Sequence, residues 1–388
     1  KIKCDFDTDM KRTEENVYQL AQFISSYCRQ EGIRHFDRTA VAKVVEYSCR
    51  LAEHQNKLTT RFNEIAEILC EADTWAALDG SKYVTGDHVK KAIEERIYRS
   101  NRYEEKLQEL YGDGTILLHT SGAVVGQVNG LSVIDLGDYS FGRPSRITTT
   151  TCLGEKGVVN IEREIRMSGR IHSKGVLILS GYLGEKYAQD YPLNLSASLT
   201  FEQTYEEIEG DSASSAELYA LLSSLSGLPI RQDIAVTGSV NQKGEIQPVG
   251  GVTAKIEGFF KVCQLQGLTG SQGVIIPYQN MDNLMLSDEV VEAVRQGMFH
   301  IYPVRTVDEG ISILTGWPAG ERQPDGSYPP DTVHGLVSRK LEEYNKKLAI
   351  LAEELSDKEK RAGRARARRE AKKENRNNEE KGITQKRG

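Results

Sequence analysis

Residues 201–225 read FEQTYEEIEGDSASSAELYALLSSL. The stretch leaves a strand, passes through Glu209-Gly210-Asp211 and enters an apolar helix expected to begin at Ser212. The first backbone N–H groups of a helix have no intrahelical acceptor, and the helix dipole is positive there. A serine at that place therefore sits among donors able to hold an oxyanion. Asp211 or Ser212 can equally be a plain helix cap, and both readings stand for this segment taken alone.

A serine hydroxyl needs a base before it becomes a nucleophile. The chain has no Gly-x-Ser-x-Gly elbow, and no serine precedes a lysine by three residues. The candidate base lies further on, in Gln247-Pro-Val-Gly-Gly-Val-Thr-Ala-Lys255, after the strand that ends at Thr237-Gly238. Two glycines make a turn, a helix opens, and Lys255 falls on its first turn among Val252, Ile256, Phe259 and Phe260. Apolar surroundings disfavour the ammonium form, which lowers the pKa and leaves a neutral amine to accept a proton. The competing reading is a surface lysine lying along its helix with its head in water.

The flanking sequence sets these segments in an α+β chain. Residues 10–105 carry apolar positions at helical spacing: Val17, Leu20, Ile24 and Cys28 before a stop at Gly32, then Val41, Val44, Val45 and Cys49, then Phe62, Ile65 and Ile68. Thr85-Gly-Asp caps a fourth helix with Val89, Ala92 and Ile93, which completes a small bundle. Beyond Tyr111 the period changes to β-branched runs broken by glycine, at Thr115–His119, Gly122–Val128, Ser145–Thr151 and Gly175–Gly181. Helices are expected again at Ser212–Ser226, Lys255–Cys263 and Asp288–Gly297, between strands at Asp233–Val240, Gly273–Pro277 and His300–Val304. The resulting division is 1–9, the end of a preceding unit beginning with a strand over Lys1–Phe6; 10–107, helical; 108–114, linker; 115–322, α+β; 323–355, extension and helix; and 356–388, a basic tail. Because the chain opens at Lys1 rather than Met, it is read as part of something longer.

Composition narrows the function. Hydrophobic residues make up 38% and charged residues 27%, as in ordinary soluble proteins, and no apolar run approaches a membrane span. The six cysteines form no Cys-x-x-Cys pair, and no His-Glu-x-x-His occurs, which argues against a metal site and suits a reducing cytoplasm. Residues 356–388 hold 13 Lys/Arg against six Asp/Glu while the whole chain stands at −6, so the body is acidic. That tail is either a solvated, disordered end or a contact for nucleic acid.

Taken together, the two segments resemble the protease domain of the Lon family, in its archaeal-type branch (LonB- or LonC-like), where a serine at a helix start pairs with a lysine after a Pro-(Ile/Val)-Gly-Gly turn. Asn160-Ile-Glu-Arg-Glu164, Ser168-Gly-Arg-Ile-His-Ser-Lys-Gly175 and Leu314-Thr-Gly-Trp-Pro-Ala-Gly320 agree with that branch. Residues 10–105 resemble the four-helix α lid of an AAA+ module, and the α+β domain is implied to have the ribosomal-protein-like fold of Lon proteases.

The resemblance implies Ser212 as nucleophile, Lys255 as base and Thr237 as the group orienting the lysine. Glu209 and Asp211 would hold the loop or bond the lysine, and His172 would be structural. Arg61, at the start of the third helix, matches the nucleotide-sensing (sensor 2) arginine, although a solvated helix arginine is the alternative. The sequence has no Gly-x-x-x-x-Gly-Lys-(Ser/Thr), so ATP and Mg would enter only through an upstream AAA+ core. The implied partners are unfolded polypeptides and five further copies in a hexamer. Set against this are a catalytically silent ring scaffold and a nucleic-acid-binding adaptor built on the bundle and the tail.

Overall fold

The computed structural model describes residues 2–189, 191–351 and 358, so the tail expected over 356–388 lies almost wholly outside the described residues. The strand expected at Lys1–Phe6 is absent from residues 2–6. A short β1 (Asp9–Lys11) pairs instead with β2 (Lys57–Thr59). Between them run α1 (Glu14–Glu31), which stops where Gly32 turns left-handed at φ 68°, and α2 (Arg38–Leu51), capped by the Asp37 side chain on the Ala40 N–H. Next come α3 (Phe62–Leu78) and α4 (Gly86–Ser100), where His88 Nδ1 accepts the Thr85 N–H at 3.0 Å. Leu20, Ile24, Val44, Ile65, Leu69 and Val89 close this bundle around one core.

A fifth helix, α5 (Arg102–Gly112), occupies most of the stretch expected as a linker. Leu107 and Tyr111 pack into the second body, and Tyr111 Oη donates to the Pro144 carbonyl at 2.6 Å. There the strands are β3 (Ala123–Val124), β4 (Gln127–Asp135), β5 (Ser140–Leu153), β6 (Gly157–Asn160) and, after α6 (Ile161–Glu164) and α7 (Arg170–Tyr187), β7 (Leu195–Phe201). The helix α8 (Ser214–Ser226) leads to β8 (Ile230–Arg231), β9 (Ile234–Val236), β10 (Ser239–Val240) and β11 (Ile246–Gln247). Then follow α9 (Val252–Gln266), β12 (Gly273–Pro277), α10 (Asp288–Arg295), β13 (His300–Val304) and α11 (Val307–Thr315), and residues 333–351 are helical.

Seven strands form one mixed sheet in the order β13-β12-β9-β4-β5-β7-β6. Alternation along its central strands feeds two cores. Ile234, Val236 and Ile275 join α8 on one face, while Ala235, Val274 and Ile276 join α9 on the other. This is an α+β architecture in which α8 and α9 lie on opposite faces. Their N-terminal ends come together beyond the carboxyl end of β9, the side of a parallel strand cluster where sites usually form.

Two further expected strands do not form. Thr115–His119 is irregular, and Gly175–Gly181 lies inside α7. The run Gly-Val-Leu-Ile-Leu-Ser-Gly has strand composition. Yet His172, Val176, Leu179 and Leu183 recur at helical spacing, and all four are buried, so tertiary packing overrides local propensity. The expected strand Asp233–Val240 is split at Thr237-Gly238 into β9 and β10. Among the described residues no helix is long and apolar enough to cross a membrane.

Candidate active site

Ser212 does not open α8. It lies in the turn before it, and the helix begins two residues later with Ala213 at the cap position. The Ser214 N–H returns to the Asp211 carbonyl at 3.0 Å and closes that turn. Gly238 N–H donates to the Ser212 carbonyl at 2.8 Å, and Ser215 N–H donates to the Gly238 carbonyl at 3.1 Å. The turn is thereby stitched to the break between β9 and β10, which explains why that strand is split.

The rival hydroxyls are occupied. Ser215 Oγ donates to the Gly238 carbonyl at 2.8 Å, and Ser214 Oγ accepts the Val240 N–H at 3.0 Å; both serines are buried. Ser212 is half-buried, and its hydroxyl has no hydrogen-bond partner among the described residues.

Lys255 comes from the other face of the sheet. Gly251 adopts φ 65°, a left-handed turn that suits glycine, and α9 starts immediately after it. The α9 backbone lies directly on β5, because a Cβ on Gly142 would overlap the Ala254 carbonyl and one on Gly258 would overlap the Gly142 carbonyl. This close approach seats Lys255 at 3% exposure. Its Nζ donates to Thr237 Oγ1 at 3.2 Å, and Thr237 Oγ1 in turn donates to the Ser212 carbonyl at 3.3 Å. Burial pulls the lysine pKa down to about 8, against smaller upward pulls from the carboxylates of Asp211 and Glu53. No hydrogen bond joins Ser212 Oγ to Lys255 Nζ directly. One threonine hydroxyl connects the lysine amine to the serine turn.

The two neighbouring carboxylates divide their work. Asp211 Oδ2 accepts from Ser239 Oγ at 2.8 Å, which fixes the turn against β10. Glu209 accepts the Ile171 N–H at 3.3 Å at the start of α7. His172, 1% exposed, sits between Ser168 Oγ (2.8 Å) and Glu217 Oε1 (3.2 Å) and ties α7 to α8 well inside the core. Among the described residues no group of three metal-ligating side chains is assembled.

Two family models match the chain. Residues 35–99 match the AAA+ ATPase lid domain of archaeal LonB, and residues 207–315 match the Lon protease C-terminal proteolytic domain. The chain belongs to the Lon protease family. It is 42% identical over 248 residues to a Lon protease homolog of Escherichia coli, covering 63% of this chain and 41% of that protein. A Haemophilus influenzae Lon protease homolog is 36% identical over 353 residues, 85% of this chain and 58% of its own. The archaeal Lon protease of Thermococcus kodakarensis is 32% identical over 325 residues, 79% of this chain and 46% of its own. The chain thus spans about half the length of these Lon relatives.

Ser212, Thr237 and Lys255 of this Lon-family chain meet in one place, and Asp211 borders it. Arg61 lies elsewhere, just before α3, where it holds the Leu51 carbonyl at 2.7 Å and Glu64 at 2.8 Å. Sequence reasoning missed Ser239, Gly142 and Gly258. Their roles are partners and close approaches across the fold, for which no local spacing gives a signal.

Proposed function

We propose that this chain is the proteolytic segment of a Lon-type serine endopeptidase, with Ser212 as nucleophile and Lys255 as base. The observation that carries the reading is a lysine buried to 3% exposure, tied through Thr237 to the turn of the one nearby serine whose hydroxyl is unengaged. A buried amine with a pKa of about 8 is partly neutral at physiological pH and can accept a proton.

Ser212 Oγ attacks the scissile carbonyl as its proton passes to Lys255 Nζ, forming the C–O bond of a tetrahedral adduct. The ammonium so formed protonates the leaving amine as the C–N bond breaks, which gives an acyl-enzyme and a free amino end. Water then repeats the sequence, with Lys255 again taking and returning a proton, and releases the carboxylate. Thr237 Oγ1 accepts a hydrogen bond from one amine N–H, which would turn the nitrogen lone pair toward the serine. The amides of Ser212 and Ala213, which have no protein acceptor among the described residues, are positioned to hold the oxyanion. Hydrogen bonds between nucleophile and base often form or tighten only when substrate binds.

The substrate class in this reading is unfolded polypeptide, cut inside a homo-hexameric ring in the cytoplasm. ATP would act through an AAA+ core in the parent protein. Arg61 is the residue here that would face the nucleotide, after releasing Glu64. Substituting Ser212→Ala or Lys255→Ala and assaying cleavage of unfolded casein tests the proposal. Both variants are expected to be inactive, and full activity in either overturns it. A chain whose wild type leaves casein intact and whose Ser212 resists an acylating probe is instead a scaffold, or a nucleic-acid adaptor if it retains DNA.

A further inference from the structure

The lid bundle touches the proteolytic body at the segment that frames Lys255. Arg50, in the last turn of α2, grips both carboxylate oxygens of Glu257, with Nη1–Oε1 at 2.8 Å and Nη2–Oε2 at 2.7 Å. Its Nη1 also donates to the Met285 carbonyl at 2.7 Å. Glu257 lies two residues after Lys255 on α9, and its Oε1 further accepts the Ser287 N–H at 2.8 Å. Its side chain is only 15% exposed, so the guanidinium is the charge that balances a largely buried carboxylate.

A second connection runs beside the first. In the loop after α2, Gln55 N–H donates to the Asp282 carbonyl at 2.8 Å, and its side chain donates to the Met281 and Leu284 carbonyls, each at 3.1 Å. Asn283 Nδ2 donates back to the Glu53 carbonyl at 2.9 Å. The receiving segment, a 3₁₀ turn at Tyr278–Asn283, grips the turn before α9. Asn280, 3% exposed, accepts the Val249 N–H and donates to the Val249 carbonyl, both at 2.9 Å. Thr253 Oγ1, inside the first turn of α9, donates to the Asn283 carbonyl at 3.1 Å. A cavity of about 300 Å³ lies beside the Arg50–Glu257 pair, between α2 and α4 on one side and α9 on the other, lined in part by Arg50, Tyr47, Ile97, Phe141, Glu257 and Phe260. The contact thus combines directional polar links, Met285 packed against the lid core and the Lys90–Asp288 pair at 3.0 Å, all beside this open space.

We infer that Arg50 is a positioning residue for Lys255: through Glu257, with Gln55 and Asn280 as a parallel link, the lid sets the seat of the catalytic lysine. The inference rests on Lys255 acting as the base. It makes the lid more than a neighbour, since a lid that moves pulls on α9 both before Lys255, at Thr253, and after it, at Glu257. Glu53 adds an electrostatic side to the link, because its carboxylate already draws the Lys255 pKa upward across the boundary.

The test is a pH profile of peptidase activity with an unfolded casein substrate, on the full chain. Arg50→Ala is expected to lower kcat about tenfold with KM nearly unchanged, and to move the rising limb of the profile, which lies near 8, to higher pH as water reaches a loosened lysine. Arg50→Lys should restore part of the loss. Arg34→Ala, which breaks the Arg34–Asp73 pair inside the lid, serves as the control: it should lower the melting temperature and leave kcat and the limb in place. Should Arg50→Ala fail to fold, Gln55→Ala removes two exposed hydrogen bonds and should shift the profile in the same direction, about twofold. A wild-type profile in the folded Arg50 or Gln55 variant, or an equal change in Arg34→Ala, overturns the linkage. Lys255→Met run alongside separates the two failures. Loss of activity there with an unmoved Arg50→Ala profile sinks the linkage alone, whereas full activity there sinks the lysine's role and the linkage with it.

Discussion

Lys255 Nζ donates to Thr237 Oγ1 at 3.2 Å, and that same hydroxyl donates to the backbone carbonyl of Ser212 at 3.3 Å. One side chain at the end of β9 thus holds the lysine head from one face of the sheet and the serine turn from the other. Removing it should separate the catalytic from the structural part of the arrangement. The Ser212 carbonyl keeps the Gly238 N–H, whereas the amine loses its acceptor.

Thr237→Val keeps the shape and deletes the hydroxyl. We expect kcat to fall about tenfold or more with KM little changed, because orientation of the base is lost while the substrate surface stays. Steady-state kinetics on a short peptide substrate check this. An unchanged kcat would show that the threonine is only a strand residue.

Lys255 also makes a prediction about stability. The unfolded chain keeps this proton up to about 10.4, while the folded site releases it near 8. Below pH 8 the folded state must bury an ammonium, so folding is penalised there. The penalty is relieved as pH rises from about 8 toward 10.4, because the unfolded state then binds more protons than the folded one. Lys255→Met should therefore abolish activity and yet stabilise the fold at pH 7, by about 1–3 kcal/mol. Its advantage over wild type should shrink in melts at pH 9. A variant less stable than wild type at pH 7 would contradict the buried-amine picture.

Gly142 predicts a different kind of damage. A Cβ there would lie 2.8 Å from the Lys255 Cα and overlap the Ala254 carbonyl, which are backbone atoms that cannot swing aside. Gly142→Ala should lower stability by about 1–3 kcal/mol and reduce kcat by displacing the lysine, although residue 142 touches no substrate. Thermal melts and kinetics on one preparation would show both effects. A stable, fully active variant would mean that α9 does not rest on β5 as described.

The readable part of this chain was that set by local chemistry. Gly32 and Gly251 stop or start helices because their backbones turn left-handed, and the apolar spacing of Leu20, Ile24 and Cys28 made α1 plain. The segments of Ser212 and Lys255 stand out because each lies at a glycine break before a helix, but their pairing, and Thr237 beside them, come from the resemblance to the Lon family. Gly175–Gly181 was misread because its composition suits a strand, while the burial that decides it runs through His172 and Leu183 outside the window. The two-residue offset of α8 follows from contacts no spacing encodes: Gly238 and Ser239 hold Ser212 and Asp211 outside the helix. Arg50 and Glu257, 207 residues apart, meet only in the folded chain.

A Ser212 activated by a neutral Lys255 reacts at a rate that follows deprotonation of the lysine. The most direct measurement is the rate of Ser212 labelling by an acylating serine probe as a function of pH, with the modified residue mapped by mass spectrometry. Labelling is expected at Ser212, rising with pH through a limb near 8 and lost in Lys255→Met. Labelling that is independent of pH between 6 and 9 and persists in Lys255→Met, or that falls on Ser214 or Ser215, would contradict it.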